Sequence, residues 1–218
     1  MKSNVLKSLI ATVILIVPAI LIFIGIRTVK TKVGLEVLNP QSDSCPTNQV
    51  EGVHRIPAFA LTSQTGQQFT DRDLAGKIYI ANFFFTRCPD ICLQMSSELT
   101  RVQTQFKANP LIRIVSHTVD PKHDSVAVLQ QYAQRYNANP QIWTMLTGDK
   151  ATIYELARCG YFVSAKAATS DLATDFIHSD KLVLIDKEKR IRGFYSGTKR
   201  EEVDRLILEI RVLLTEYQ

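Results

Sequence analysis

Hydrophobic positions along this 218-residue chain follow three rhythms: an unbroken block, alternation, and helical stripes. The block comes first. Between Lys7 and Arg27, the 19 residues 8–26 carry no charge. At ~1.5 Å per helical residue they reach about 28 Å, close to the apolar thickness of a bilayer. They predict a single transmembrane helix, in which Pro18 is tolerated because neighbouring groups can satisfy the carbonyl it frees. Arg27 and Lys30 follow where a cleaved signal peptide would place small residues, so the block reads as an uncleaved anchor. Lys2, Lys7 and the α-amine balance Arg27, Lys30 and Lys32, so charge leaves the orientation open.

After a polar stretch over 39–46 the pattern becomes that of a folded domain. Segments 56–61 and 67–69 flank a turn-rich 62–66 and predict a hairpin, and 77–85 is almost continuously apolar, as a strand at the centre of a sheet should be. From Pro89 to about Lys107, Ile91, Met95, Leu99, Val102 and Phe106 form one helical stripe. A second strand is predicted over 111–119. Asp124 then caps a helix carrying Val128, Leu129, Tyr132 and Tyr136, and Asp120 organises the turn before it. A short strand over 143–146, a helix over 149–159 and a hairpin of 181–185 with 191–195 follow. A last helix starts at Thr198, with Glu201 completing a capping box. Strands separated by helices, then a hairpin and a terminal helix, give the βαβ plus ββα order of an α/β, thioredoxin-like domain. The chain divides into a tail over 1–7, an anchor over 8–26, a linker over 27–52 and the thioredoxin-like domain over 53–218.

Composition adds one exclusion. The net charge of +5 is concentrated in residues 1–40, where five Lys/Arg face only Glu36. The remaining 178 residues carry +1, too little for a basic nucleic-acid-binding face. No nucleic-acid partner is expected.

The chemistry-bearing residues gather where the central strand ends. The apolar run 78–85 gives way to Thr86-Arg87 and then Cys88-Pro89-Asp90-Ile91-Cys92. Proline suits a first helical position, so Cys88 falls at the N-cap and Cys92 one turn below it on the same face. Unpaired N–H groups and the helix dipole there favour thiolate over thiol. Such a dithiol is suited to redox exchange or metal capture. Of the two other cysteines, Cys45 lies in the linker and Cys159 reads as a small buried residue before Gly160, with a bridge between them as the less favoured alternative.

Four histidines could supply a third donor. His54 lies near the domain start, His117 lies inside a strand and His123 sits beside a helix cap, all places where structural roles are common. His178 differs, because it ends the loop over 165–177 just before the 181–185 strand, whose entrance in a thioredoxin-like fold faces the cysteine helix. Two thiolates and an imidazole suit Cu(I) and can hold Cu(II), whereas a structural zinc site would call for a fourth ligand that the spacing does not offer.

Four motifs in order carry a resemblance: 84–92 around the cysteines, Val119-Asp120-Pro121-Lys122-His123-Asp124-Ser125, Trp143-Thr144-Met145-Leu146-Thr147-Gly148, and His178-Ser179 before 182–186. Together with the N-terminal anchor they resemble the Sco/SenC family of membrane-anchored copper chaperones. The resemblance implies a thioredoxin-like fold, copper as the bound metal, and Cys88, Cys92 and His178 as its ligands. It also implies that the acceptor is the copper-bearing subunit of cytochrome c oxidase, or another copper acceptor, and that the domain lies on the periplasmic side of the cytoplasmic (inner) membrane. Leu93 stands where the family often has proline after the second cysteine, and Ile177 where it frequently has aspartate before the histidine. The competing reading is a thiol-disulfide oxidoreductase that attacks with Cys88 and resolves with Cys92, the pair forming a redox disulfide. A peroxidase with Cys88 as peroxidatic thiolate and a purely structural Cys88–Cys92 bridge are weaker alternatives.

Overall fold

The computed structural model of the chain describes residues 16–18, 34–42, 45, 49–50, 52–163 and 179–217. Two compact units are present, Met1–Gly34 and Leu35–Gln218. In the first, residues 16–18 are helical, and the rest of the anchor expected over 8–26 lies outside the described residues. Among the described residues no helix is long and apolar enough to cross a membrane.

The second unit opens with a two-stranded hairpin, β1 (Gln49–Val50) and β2 (Val53–His54). A seven-stranded mixed sheet follows, built from β3 (Ala60–Ser63), β4 (Gln68–Thr70), β5 (Ile78–Phe84), β6 (Ile112–Thr118), β7 (Trp143–Thr147), β8 (Lys181–Ile185) and β9 (Ile191–Ser196) in the order β4-β3-β7-β6-β5-β8-β9. Strands β5, β6 and β7 are parallel neighbours; β8 runs antiparallel to β5, and β3 antiparallel to β7. The α/β thioredoxin-like architecture read from the pattern is the one observed.

All seven residues of β5 are buried, because both faces of the sheet are covered. On one face Ile78, Ile80 and Phe84 pack with helices α1 (Ile91–Phe106), α2 (Val126–Arg135) and α4 (Arg200–Glu216). On the other, Tyr79, Ala81 and Phe83 pack with α3 (Lys150–Glu155) and the π-helical turn Leu156–Gly160 that extends it. Fully burying one large apolar side chain stabilises by roughly 1.5–3 kcal/mol, so these two layers dominate the fold. Parallel β5 and β6 end on the same edge of the sheet, where α/β folds place their sites.

Three helix starts differ from expectation, each for a local reason. Helix α1 begins at Ile91, because Asp90 (φ −136°, ψ −87°) is not helical; Cys88 is therefore two residues ahead of the N-cap. Helix α2 is capped by Ser125, whose hydroxyl accepts from the Val128 N–H, and the Asp124 carboxylate is used elsewhere. Helix α4 begins at Arg200 after Lys199, the Thr198 hydroxyl being spent on the Asp180 carboxylate at 3.1 Å.

The stretch expected as linker is, in its described part, bound into the domain. Leu38 bridges Ile191 of β9, and Arg192 donates to the carbonyls of Leu35 and Glu36. Asn39 exchanges hydrogen bonds with Gly52 and His54. Cys45 and Cys159, read as unpaired, form a disulfide with Cα atoms 5.4 Å apart. Their separation of 114 residues hid that pairing from any local pattern. Closing so long a loop restricts the unfolded chain strongly. Cys45→Ser should therefore cost about 2–4 kcal/mol in chemical denaturation; an unchanged unfolding midpoint would mean that the bridge carries no stability.

Candidate metal centre

Chain direction alone delivers Cys88 to the sheet edge. After Phe84 the backbone turns through Phe85, Thr86 and Arg87, and the Cys88 N–H closes the turn on the Phe85 carbonyl at 3.1 Å. Cys92 is the second residue of α1, and its N–H is one of the four that a helix leaves without an internal acceptor. The Cys88 sulfur accepts it at 3.4 Å. Cys88 is thus outside the N-cap, contrary to expectation, yet its sulfur performs part of a cap's work.

Both cysteines are free thiols and both are buried, at 5% and 2% exposure. Burial pushes the Cys92 thiol up to about 12, with the hydrogen bond to Cys88 adding to it. The expected thiolate at a helix N-terminus is therefore not what burial favours at Cys92. A helix dipole contributes about 0.3–1 kcal/mol. Removing an ionised group from water costs several times that.

The pair is buried in one apolar core that also holds Phe84, Met95 and Tyr132. The Tyr132 hydroxyl reaches the Ser96 hydroxyl at 3.0 Å and the Cys92 carbonyl at 3.5 Å. From the neighbouring loop after β6, two carboxylates grip the turn before Cys88. Asp120 takes the Arg87 guanidinium at 2.6 Å, and Asp124 takes the Thr86 N–H at 3.0 Å and its hydroxyl. Asp120 and Asp124 do organise a turn, as expected, but Asp124 does not cap the helix. The sequence pattern places Tyr132 only in a core stripe and does not mark Thr86 as a partner of Asp124. The legible signal was an Asp-rich loop following the strand parallel to the one that carries the cysteines.

Three histidines have structural positions. His54 Nε2 is 2.8 Å from the Gly160 carbonyl. His117 is buried and stacked on Phe83, and burial lowers it to about 4, so it stays neutral. His123 Nδ1 is 2.9 Å from Asp124 Oδ1. Asp120, His123 and Asp124 bring three donor atoms within 4.8 Å of one another, but the carboxylates are already engaged by Thr86, Thr118 and Arg87. His178 lies outside the described residues. The described chain resumes at Ser179 and Asp180, beside α1: a Cβ built on Gly197 would lie 2.9 Å from Met95 Cγ and 3.1 Å from the Asp180 carbonyl oxygen. Gly197 therefore lies against both the start of β8 and Met95 of the cysteine helix.

A thioredoxin-like sheet whose central strand hands a CxxxC dithiol to the head of a helix defines a protein that handles thiols or soft metal ions. The SCO1/SenC family model matches residues 48–215, so the chain belongs to the SCO1/SenC family. It is 26% identical to the SCO1 protein homolog of Bacillus subtilis over 160 residues, 72% of this chain and 82% of that protein. Among solved structures it resembles BsSco, described with a disulfide switch and as a member of the Sco family of cytochrome c oxidase assembly proteins. That match has a TM-score of 0.63 and 26% identity, covering 74% of this chain and 94% of that one. It also resembles Bradyrhizobium japonicum ScoI, solved with copper bound, with a TM-score of 0.58 and 26% identity over 72% of this chain and 98% of that one.

In the reduced, metal-free protein Cys92 should stay protonated at neutral pH and ionise only toward 12. Site-resolved alkylation across a pH series reads this directly. Ionisation at the ordinary cysteine value, about 8.5, would contradict the burial described.

Proposed function

We propose that this chain binds copper as cargo between the Cys88 and Cys92 sulfurs and the His178 imidazole, and delivers it to the dinuclear copper site of cytochrome c oxidase. The observation that carries the reading is the meeting of two free, buried cysteines at the head of α1. It occurs in a chain whose relative in Bradyrhizobium japonicum has been solved with copper bound. Two sulfur donors and one imidazole match copper's preference for soft and intermediate ligands, and burial in an apolar core keeps competing water away. Three donors leave a face open to an acceptor's ligand. His178 stands one residue before the described Ser179, and the start of β8 and Met95 of α1 both lie against Gly197, which supports its part as third donor.

The same reading puts the domain on the periplasmic side of the cytoplasmic membrane, held by the 8–26 segment. The Cys45–Cys159 disulfide supports this, since such bridges persist in oxidising compartments and not in a reducing cytosol. Thiol-disulfide exchange through Cys88 and Cys92 is the second reading, favoured by the disulfide switch described for BsSco. Burial weighs against it, because the attacking Cys88 sulfur must be reached and the resolving Cys92 thiol must lose its proton.

Anaerobic Cu(I) titration of the reduced full-length protein in detergent tests both. One copper per chain is expected, with retention lost in Cys88→Ser, Cys92→Ser and His178→Ala. If His178→Ala kept wild-type retention, the three-ligand site would be abandoned; if it lost copper but kept dithiol exchange, exchange would be a separate property of the pair. Affinity should also depend on pH. Copper must displace the Cys92 proton, whose folded-state value is about 12. Apparent affinity then rises with pH, about tenfold per unit for each proton released, across the whole neutral range. Competition titrations at about pH 6 and about pH 8 should differ accordingly, and equal affinities would show that no proton is displaced.

A further inference from the structure

Of the two carboxylates that hold the turn presenting Cys88, Asp124 makes two hydrogen bonds to it and Asp120 one. Asp124 is fully buried, yet no Lys or Arg among the described residues pairs with it. Four donors fill its two oxygens instead: the Thr86 N–H at 3.0 Å and the Thr118 hydroxyl on Oδ2, the Thr86 hydroxyl and His123 Nδ1 at 2.9 Å on Oδ1. A carboxylate has about four acceptor positions, so this one is saturated. Two of the four donors belong to Thr86, two residues before Cys88. The neighbouring pair, Arg87 with Asp120, holds the same turn, but the Arg87 side chain is 59% exposed and such surface pairs contribute little.

Helix capping does not explain the carboxylate, because Ser125 caps α2. Neither does the β6 ladder, which continues past Thr118 through the Val119 N–H to the Phe84 carbonyl at 2.8 Å. What Asp124 adds is a bond from the loop after β6 to the peptide and side chain of Thr86. We infer that Asp124 is the positioning residue of the dithiol: its buried carboxylate clamps Thr86 and so holds the Cys88 sulfur over the Cys92 N–H. The role rests on the reading of Cys88 and Cys92 as the working pair. Asn in its place keeps the shape but offers one carbonyl oxygen and two unwanted donors, so the four-donor clamp cannot form.

The test uses the reduced full chain and reads the Cys88 alkylation rate by a neutral reagent, residue by residue, alongside Cu(I) affinity. Asp124→Asn should release the turn, raise Cys88 alkylation at least about tenfold and weaken copper retention by a similar factor. Thr86→Val, which loses only the hydroxyl, should raise the rate about fivefold, while Thr86→Ser restores it. Asp186→Asn, a buried carboxylate at the opposite end of β5, serves as the control for general loosening and should leave Cys88 unchanged. The inference is overturned if Asp124→Asn matches wild type, or if Asp186→Asn moves the rate as much. Should Asp124→Asn fail to fold, the Thr86→Val and Thr86→Ser pair decides, and equal rates for the two overturn it. Faster alkylation in Asp124→Asn together with no copper bound by wild type leaves the clamp standing and removes the copper reading. Wild-type copper binding with unchanged alkylation does the reverse.

Discussion

Burial of β5 on both faces is the constraint from which the site follows. Seven consecutive residues, Ile78–Phe84, pair in parallel register with Ile112–Thr118 of β6 and face two cores at once. A slip of one residue would exchange the members of the two cores, so the register is fixed strongly. The chain can then leave the sheet only after Phe84, and the turn that follows must place Cys88 at that edge. The loop after β6 arrives at the same edge, tied by the Val119 N–H to the Phe84 carbonyl. Packing in the core thus sets the distance between the cysteine turn and the carboxylates that grip it.

Two physical effects compete at Cys92, and their sizes decide its resting state. The head of α1 offers a positive field, but only a short distance from a sulfur at 2% exposure. Desolvation wins, and Cys92 is held as a thiol. A thiol at the resolving position is slow to release a mixed disulfide, since the attacking species is the thiolate. Toward a soft metal it is only a proton away from being a ligand, and metal binding itself supplies the free energy that removes the proton. The same burial that slows thiol exchange is therefore compatible with metal capture.

The parts of this molecule legible in sequence are those governed by neighbours in the chain. The apolar run before Thr86, the stripe from Ile91 to Phe106 and the hairpin around 186–190 repeat over a few residues, and each element formed within two or three positions of its expected place. What was not legible depends on contacts distant in sequence. Cys45 and Cys159 have nothing in their surroundings to mark them as partners; only the folded chain brings their Cα atoms to 5.4 Å. Asp124 looked like a helix cap because aspartate often is one, and only the adjacent position of the Thr86 turn shows where its oxygens go. The state of the Cys92 thiol is illegible for the same reason: the helix dipole is a local quantity that sequence predicts, whereas burial is a property of the whole core.

The Cys45–Cys159 disulfide and the segment that pairs with strand β9 are linked. Strand β9 is an edge strand, and exposed edges invite pairing with other chains. Here Leu38 bridges Ile191, and Arg192, almost fully buried, is drawn between Asp186, Glu216 and the carbonyls of Leu35 and Glu36. One bridge and a few side-chain bonds are a weak hold on an extended segment, whose conformational entropy costs about 1–2 kcal/mol per residue fixed. The Cys45–Cys159 bond lies just beyond that segment and joins it covalently to the π-helical turn. By tying down the segment's far end, it lowers the entropy still to be lost when Leu35 to Asn39 dock.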